Sequence, residues 1–209
     1  MKILFHIVFP LLFLWGCALL GDEVPPVTGM QGRLQENIYT SPSGSFRLRV
    51  PKLSKAANIR DEVPSPGVLR LSISDDLCRE FIVSERPGNL GTQSIGQWVE
   101  ENIVQDLKPL GFEIKTTTRQ TPQGSVVALR YRVPGGAPCS PATKAGSTPQ
   151  TKPDADVGWY VFYNAGMIYR LIYLIGVGPE MPDPWFIARA PVDTVLAQFA
   201  EGFEFAALK

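Results

Sequence analysis

Two apolar runs, Trp159 to Tyr163 and Met167 to Ile175, are separated only by Asn164-Ala165-Gly166, and this pairing constrains the fold more than any other feature. Both runs are rich in aromatic and β-branched residues, which suit a pleated surface. The residues between them have the chemistry of a tight turn. Neither run keeps a polar face, so both are expected as central strands, antiparallel to each other and covered on both sides.

The remaining periodicities fit around that hairpin. Ser41-Pro42-Ser43-Gly44 is a turn signal, after which Phe46, Leu48 and Val50 alternate with Ser45, Arg47 and Arg49 until Pro51. Leu69, Leu71 and Ile73 alternate with Arg70 and Ser72, and Glu80 to Ser84 forms a further strand-like run ended by Pro87-Gly88. Ser94 and Gln97 have capping-box spacing, and Ile95, Trp98, Val99, Ile103 and Leu107 recur at helical spacing before Pro109 and Gly111. Phe112 to Thr116 resumes alternation, Thr121-Pro122-Gln123-Gly124 reads as a hairpin turn, and Val127, Leu129, Tyr131 and Val133 form the next strand face. Residues 135–157 are Pro-rich, lack periodicity and are expected as a long exposed loop. Pro191 suits a first helical turn, Val192, Val195, Leu196 and Phe199 make a second stripe, and Phe203 and Phe205 are expected to return to the core. The sum is an α+β fold: an antiparallel sheet of about seven strands flanked by two main helices.

The N-terminal stretch has a different logic. Lys2 precedes an apolar run from Ile3 to Trp15, within the roughly 7–15 residues of a secretory signal and short of the about 20 that cross a bilayer. Leu14, Gly16 and Cys17 resemble the bacterial lipobox, with Trp15 departing from its small-residue preference. The expectation is a signal peptide over 1–16, a lipidated Cys17, a Gly- and Pro-interrupted tether over 17–38, and a folded domain over 39–209. The resulting address is the cell envelope, with the protein anchored to the membrane through lipid. Ala18 after Cys17, in place of Asp, favours the outer membrane facing the periplasm. Ordinary cleavage near Gly16-Cys17-Ala18 would instead release a soluble periplasmic protein.

Composition then removes whole classes of chemistry. Acidic and basic residues balance at 20 each, which argues against a nucleic-acid partner. The single histidine is His6, inside the signal, so the processed chain would have no imidazole. Ser-His-Asp and Cys-His catalysis and His-bearing zinc sites are therefore excluded from it. With Cys17 assigned to lipid, Cys78 and Cys139 remain as a disulfide candidate in an oxidising compartment, two buried thiols being the alternative. No cofactor or metal is expected; Asp75, Asp76 and Glu80 lack calcium-loop spacing, and turn chemistry accounts for the first two.

The run Tyr39-Thr40-Ser41-Pro42-Ser43-Gly44-Ser45-Phe46, the helix carrying Trp98, the hairpin at Asn164-Ala165-Gly166 and the closing Phe203 and Phe205 resemble the PsbP-like superfamily, including DcrB- and LpqN-type lipoproteins. The resemblance spans most of residues 39–205 and lies in layout. It implies an antiparallel sheet flanked by helices and a binding, stabilising or adaptor role without a shared catalytic set. The Pro-rich loop is a departure.

Two binding candidates follow. Arg47, Arg49, Arg70, Arg130 and Arg132 alternate with core residues and would form a guanidinium patch if their strands were neighbours, suited to carboxylate or phosphate. The alternative is a solvated face. Trp185 and Phe186, in a Pro-stiffened loop, could anchor a protein partner or staple the last helix. The functional expectation is a non-catalytic, lipid-anchored binding or adaptor protein of the envelope. A carboxylate-dependent hydrolase of envelope polymers and a structural lipoprotein without ligand are the alternatives.

Overall fold

The computed structural model describes residues 30–52, 58–75, 78–138, 153–177 and 192–206. Within them the chain forms β1 (Arg33–Gln35), β2 (Ile38–Thr40), β3 (Phe46–Arg49), β4 (Asn58–Ser65), β5 (Val68–Ser74) and β6 (Arg79–Pro87). A helical run follows: α1 (Ile95–Val99), a π-helical segment (Glu100–Val104), α2 (Gln105–Leu107) and a 3-10 turn (Lys108–Leu110). Then come β7 (Lys115–Thr121), β8 (Gly124–Val133), β9 (Asp154–Asn164), β10 (Met167–Val177), α3 (Val192–Glu201) and β11 (Phe203–Phe205).

The hairpin of β9 and β10 is central, as its composition demands. The larger sheet has the order β4-β5-β6-β10-β9-β8-β7, with every pairing antiparallel. Asn164 pairs with Met167, leaving Ala165 and Gly166 as a two-residue turn with φ of 49° and 80°. Two successive positive φ values define the turn whose twist matches that of the flanking strands.

Two layers cover this sheet. On one face Leu71, Val83, Leu171, Tyr173 and Tyr160 pack against Tyr39, Phe46 and Leu48 and against Val192, Leu196 and Phe199 of α3. On the other, Val127, Leu129, Val161 and Ile168 receive Trp98, Val99, Ile103 and Val104. The buried helical residues fall in two adjacent pairs five positions apart. That spacing matches the π segment, where the Gln105 N–H reaches back to the Glu100 carbonyl. The Ser94–Gln97 capping box starts the run, and Gly111, at φ 78°, ends it.

The α+β class and the antiparallel sheet hold, while several boundaries move. Phe46 to Arg49 does not join the larger sheet; β3 pairs with β2 and β11 in a separate sheet of order β1-β2-β3-β11. The seventh strand of the larger sheet is instead β4, whose charged sequence hides its alternation. The first described strand, β1, lies inside the stretch expected as tether. Asp61 fixes it there, accepting the Gln31 N–H at 2.8 Å, the Gly32 N–H at 2.7 Å and the Tyr39 hydroxyl at 2.6 Å. The loop expected over 135–157 ends earlier, because β9 starts at Asp154 and its carboxylate accepts the Gly135 N–H at 3.1 Å.

Candidate anion-binding face

Strand order decides what the expected arginine patch becomes. Arg47 and Arg49 are exposed on β3 of the smaller sheet. Arg70 is on β5, and three strands separate it from Arg130 and Arg132 on β8. Face parity separates them too. Arg130 shares a row with Gly158, Tyr173 and Phe81, on the face packed against α3, whereas Arg70 shares a row with Ser84 and Arg170 on the opposite face. Arg132 is paired with Asp156 at 2.8 Å, which holds its guanidinium above the usual value. The five-arginine patch does not form.

A different cluster does. Arg70 pairs across to Ser84, and Ser84 to Arg170, so the three lie in line over β5, β6 and β10. Arg86, two residues beyond Ser84, is on the same face of β6. Burial first, and then the neighbouring charges of Arg86 and Arg70, push the Arg170 pKa down. A guanidinium nevertheless stays protonated, so the cluster is a standing concentration of positive charge. Among the described residues no carboxylate lies within ion-pair distance of Arg70, Arg86 or Arg170.

Aromatic rings hold two of these cations. Arg86 lies 5.4 Å from the Trp98 ring centroid and Arg170 lies 5.7 Å from that of Trp159. The Arg170 Nε donates to the Ser84 hydroxyl oxygen at 2.8 Å. Beside the row, Arg60, Glu62, Arg70 and Ser72 line a cavity of about 210 Å³. Ser72 itself donates to Glu80 at 2.6 Å.

The larger cavity, about 490 Å³, lies between β3 and α3, with Arg49 and Lys52 on its wall above Arg79, Phe81 and Phe199. Its buried cation is already neutralised: the Arg79 and Asp75 side chains are 2% and 0% exposed and form an ion pair. A neutralised arginine beneath a cavity has a structural partner. Arg170 has no carboxylate partner among the described residues, and that difference selects the first site.

The other named residues fall as follows. Cys78 is buried and disulfide-bonded, while Cys139 lies outside the described residues. Cys17, Trp185, Phe186 and Asp76 also lie outside them. Asp75 is turned to Arg79 and Glu80 to Ser72, and no metal-holding group of three His, Cys, Asp or Glu occurs among the described residues. No described helix is long and apolar enough to cross a membrane.

Sequence reasoning missed Arg86 and Arg170. The available signal was Arg170 itself, the one charge between Ile168 and Ile175 in an otherwise uncharged run. No family model matches this sequence, and no curated protein does either. Among solved structures, a crystal structure from Bacteroides thetaiotaomicron VPI-5482 is similar with a TM-score of 0.45 and 10% identity, over 83% of this chain and 49% of that one, so this chain spans about half the length of that protein.

Proposed function

We propose that this chain is an exported lipoprotein of the cell envelope whose PsbP-like domain binds an anionic partner without catalysing a reaction. The observation that carries the reading is Arg170, a half-buried guanidinium flanked by Arg70 and Arg86 with no carboxylate partner among the described residues. Removing a cation from water without a counter-charge is costly, so such a group persists where a ligand supplies the charge. Anchoring rests on Leu14, Gly16 and Cys17, and the non-catalytic role on the confinement of histidine to His6. The PsbP-like reading rests on the resemblance in layout over residues 39–205 and on an antiparallel sheet with helices on both faces. In this structure Tyr39, Ser45 and Phe46 all face the larger sheet, bonding Asp61, bonding Glu85, and meeting the Tyr169 ring edge-on.

Two measurements test this. Mass spectrometry of the chain recovered from membranes is expected to find a diacylglyceryl group on Cys17; an intact Met1 or a free thiol at the processed end overturns the anchoring. Retention on immobilised anions is expected to fall with rising salt and to drop in Arg170→Gln at unchanged melting temperature. Retention indifferent to Arg170→Gln overturns the binding reading.

A further inference from the structure

We infer that the row Arg70–Ser84–Arg170, with Arg86 beside it, is a site for a phosphate-bearing group rather than a carboxylate. This rests on the anion-binding reading above and narrows its ligand.

The donors come from three strands. Arg70 and Arg170 stand on either side of β6, which carries Ser84 and Arg86 between them. Neighbouring strands are about 4.8 Å apart, so the two outer Cα atoms are separated by roughly 10 Å, a span that long guanidinium side chains close from opposite sides. A carboxylate has two oxygens whose lone pairs lie in one plane, and it carries one charge. A phosphate presents three or more oxygens in a tetrahedral arrangement and up to two charges. Guanidinium donors converging from both sides of β6, with more than one positive charge between them, match the second better than the first.

Hydrogen-bond capacity agrees. Arg170 uses its Nε–H on Ser84 at 2.8 Å, and its terminal N–H groups donate to nothing among the described residues. Ser84 accepts that bond, so its own hydroxyl proton remains available to a ligand oxygen. Charge agrees too. Arg60, Arg70, Arg86 and Arg170 share this face of β4, β5, β6 and β10 with Glu62 and Glu80, leaving an excess of two positive charges that matches a dianion better than a monoanion. Trp98 and Trp159 fix the Arg86 and Arg170 planes before any ligand arrives, which lowers the entropic cost of binding. Finally, Arg70 also lines the adjoining cavity of about 210 Å³, together with Arg60, Glu62 and Ser72.

The test titrates the full processed protein with inorganic phosphate and with acetate by calorimetry, then with vesicles of phosphatidylglycerol or of phosphatidylcholine. Saturable phosphate binding is expected, weakened about tenfold or more in Arg170→Gln and in Arg70→Gln. Arg70 is exposed, so its variant preserves the fold if the other does not. Arg170→Lys is expected not to restore affinity, because an ammonium lacks the fork. Phosphatidylglycerol vesicles competing with free phosphate identify a lipid headgroup as the source; phosphate binding without vesicle binding identifies a soluble phosphorylated ligand. Acetate binding as tightly as phosphate overturns the phosphate assignment and leaves the anion face standing. Binding of neither anion nor vesicle overturns both, and phosphate binding unchanged in both glutamine variants overturns the site.

Discussion

Ser45 donates its hydroxyl to Glu85 at 2.6 Å, and this bond joins the turn before β3 in the smaller sheet to β6 in the larger one. Glu85 is 3% exposed on a face otherwise lined by Leu69, Phe46 and Tyr169. The Ser43 hydroxyl lies 3.1 Å from the same carboxylate, and Ser41 closes the turn by accepting the Phe46 N–H at 3.2 Å. The serines therefore solvate a buried carboxylate that water does not reach. They are a joint between layers.

Ser45→Ala consequently leaves a buried oxygen under-bonded and is expected to cost about 1–3 kcal/mol. Denaturant titration checks it, and a double cycle with Glu85→Gln is expected to show coupling, since both act on one bond. Additive losses would mean the two sheets are joined elsewhere.

A second joint is titratable at high pH. Burial first, then the hydrogen bond and charge of Asp61, push the Tyr39 phenol well above its ordinary 10.0, and burial raises Tyr131 to about 12 and Tyr173 further. Unfolded phenols ionise near pH 10 while the folded ones stay protonated, so the unfolded chain releases protons first. Their contribution to stability is whole below about pH 10 and is lost progressively as pH rises toward the folded values. Urea unfolding across that range is expected to show a steep decline, shallower in Tyr39→Phe. An identical slope in Tyr39→Phe would detach the effect from this residue.

These joints mark how far the sequence was legible. Alternation fixes which residues of one strand share a face, and it correctly located Leu69, Leu71 and Ile73 and the hairpin at Ala165-Gly166. It does not fix which strands become neighbours, nor which of two faces a strand turns outward. Arg70 and Arg130 both alternate with core residues, yet they end on opposite faces with three strands between them. The ordered N-terminal strand was hidden for a related reason. Its anchor, Asp61, is remote in sequence and lies in a strand whose charges mask its period.

Cys78 illustrates a constraint legible from composition alone. It is fully buried and disulfide-bonded, at a φ of 59° that is uncommon for a residue bearing a side chain. The sequence offers Cys139 as its partner, so non-reducing proteolysis is expected to release one linked peptide pair containing both. Reduction is expected to cost about 2–4 kcal/mol. A peptide pair joining Cys78 to Cys17 would overturn both this pairing and the lipid anchor.

Gly158 sets how closely α3 approaches the sheet. A Cβ at this position would collide with the Val192 side chain and press on Leu196, 3.3 Å away. The position lies on β9 between Arg130 and Tyr173, in a row that otherwise carries large side chains. Glycine is retained here for clearance, since the helix sits directly over it. Gly158→Ala must displace α3 or the strand and is expected to cost about 1–3 kcal/mol, with Gly158→Val worse. Val192→Ala removes the nearest methyl groups. It is therefore expected to be destabilising alone yet to recover part of the loss when combined with Gly158→Ala. Thermal unfolding of the two single variants and the double variant checks this. Strictly additive losses would show that the helix is held off the strand by something other than Val192.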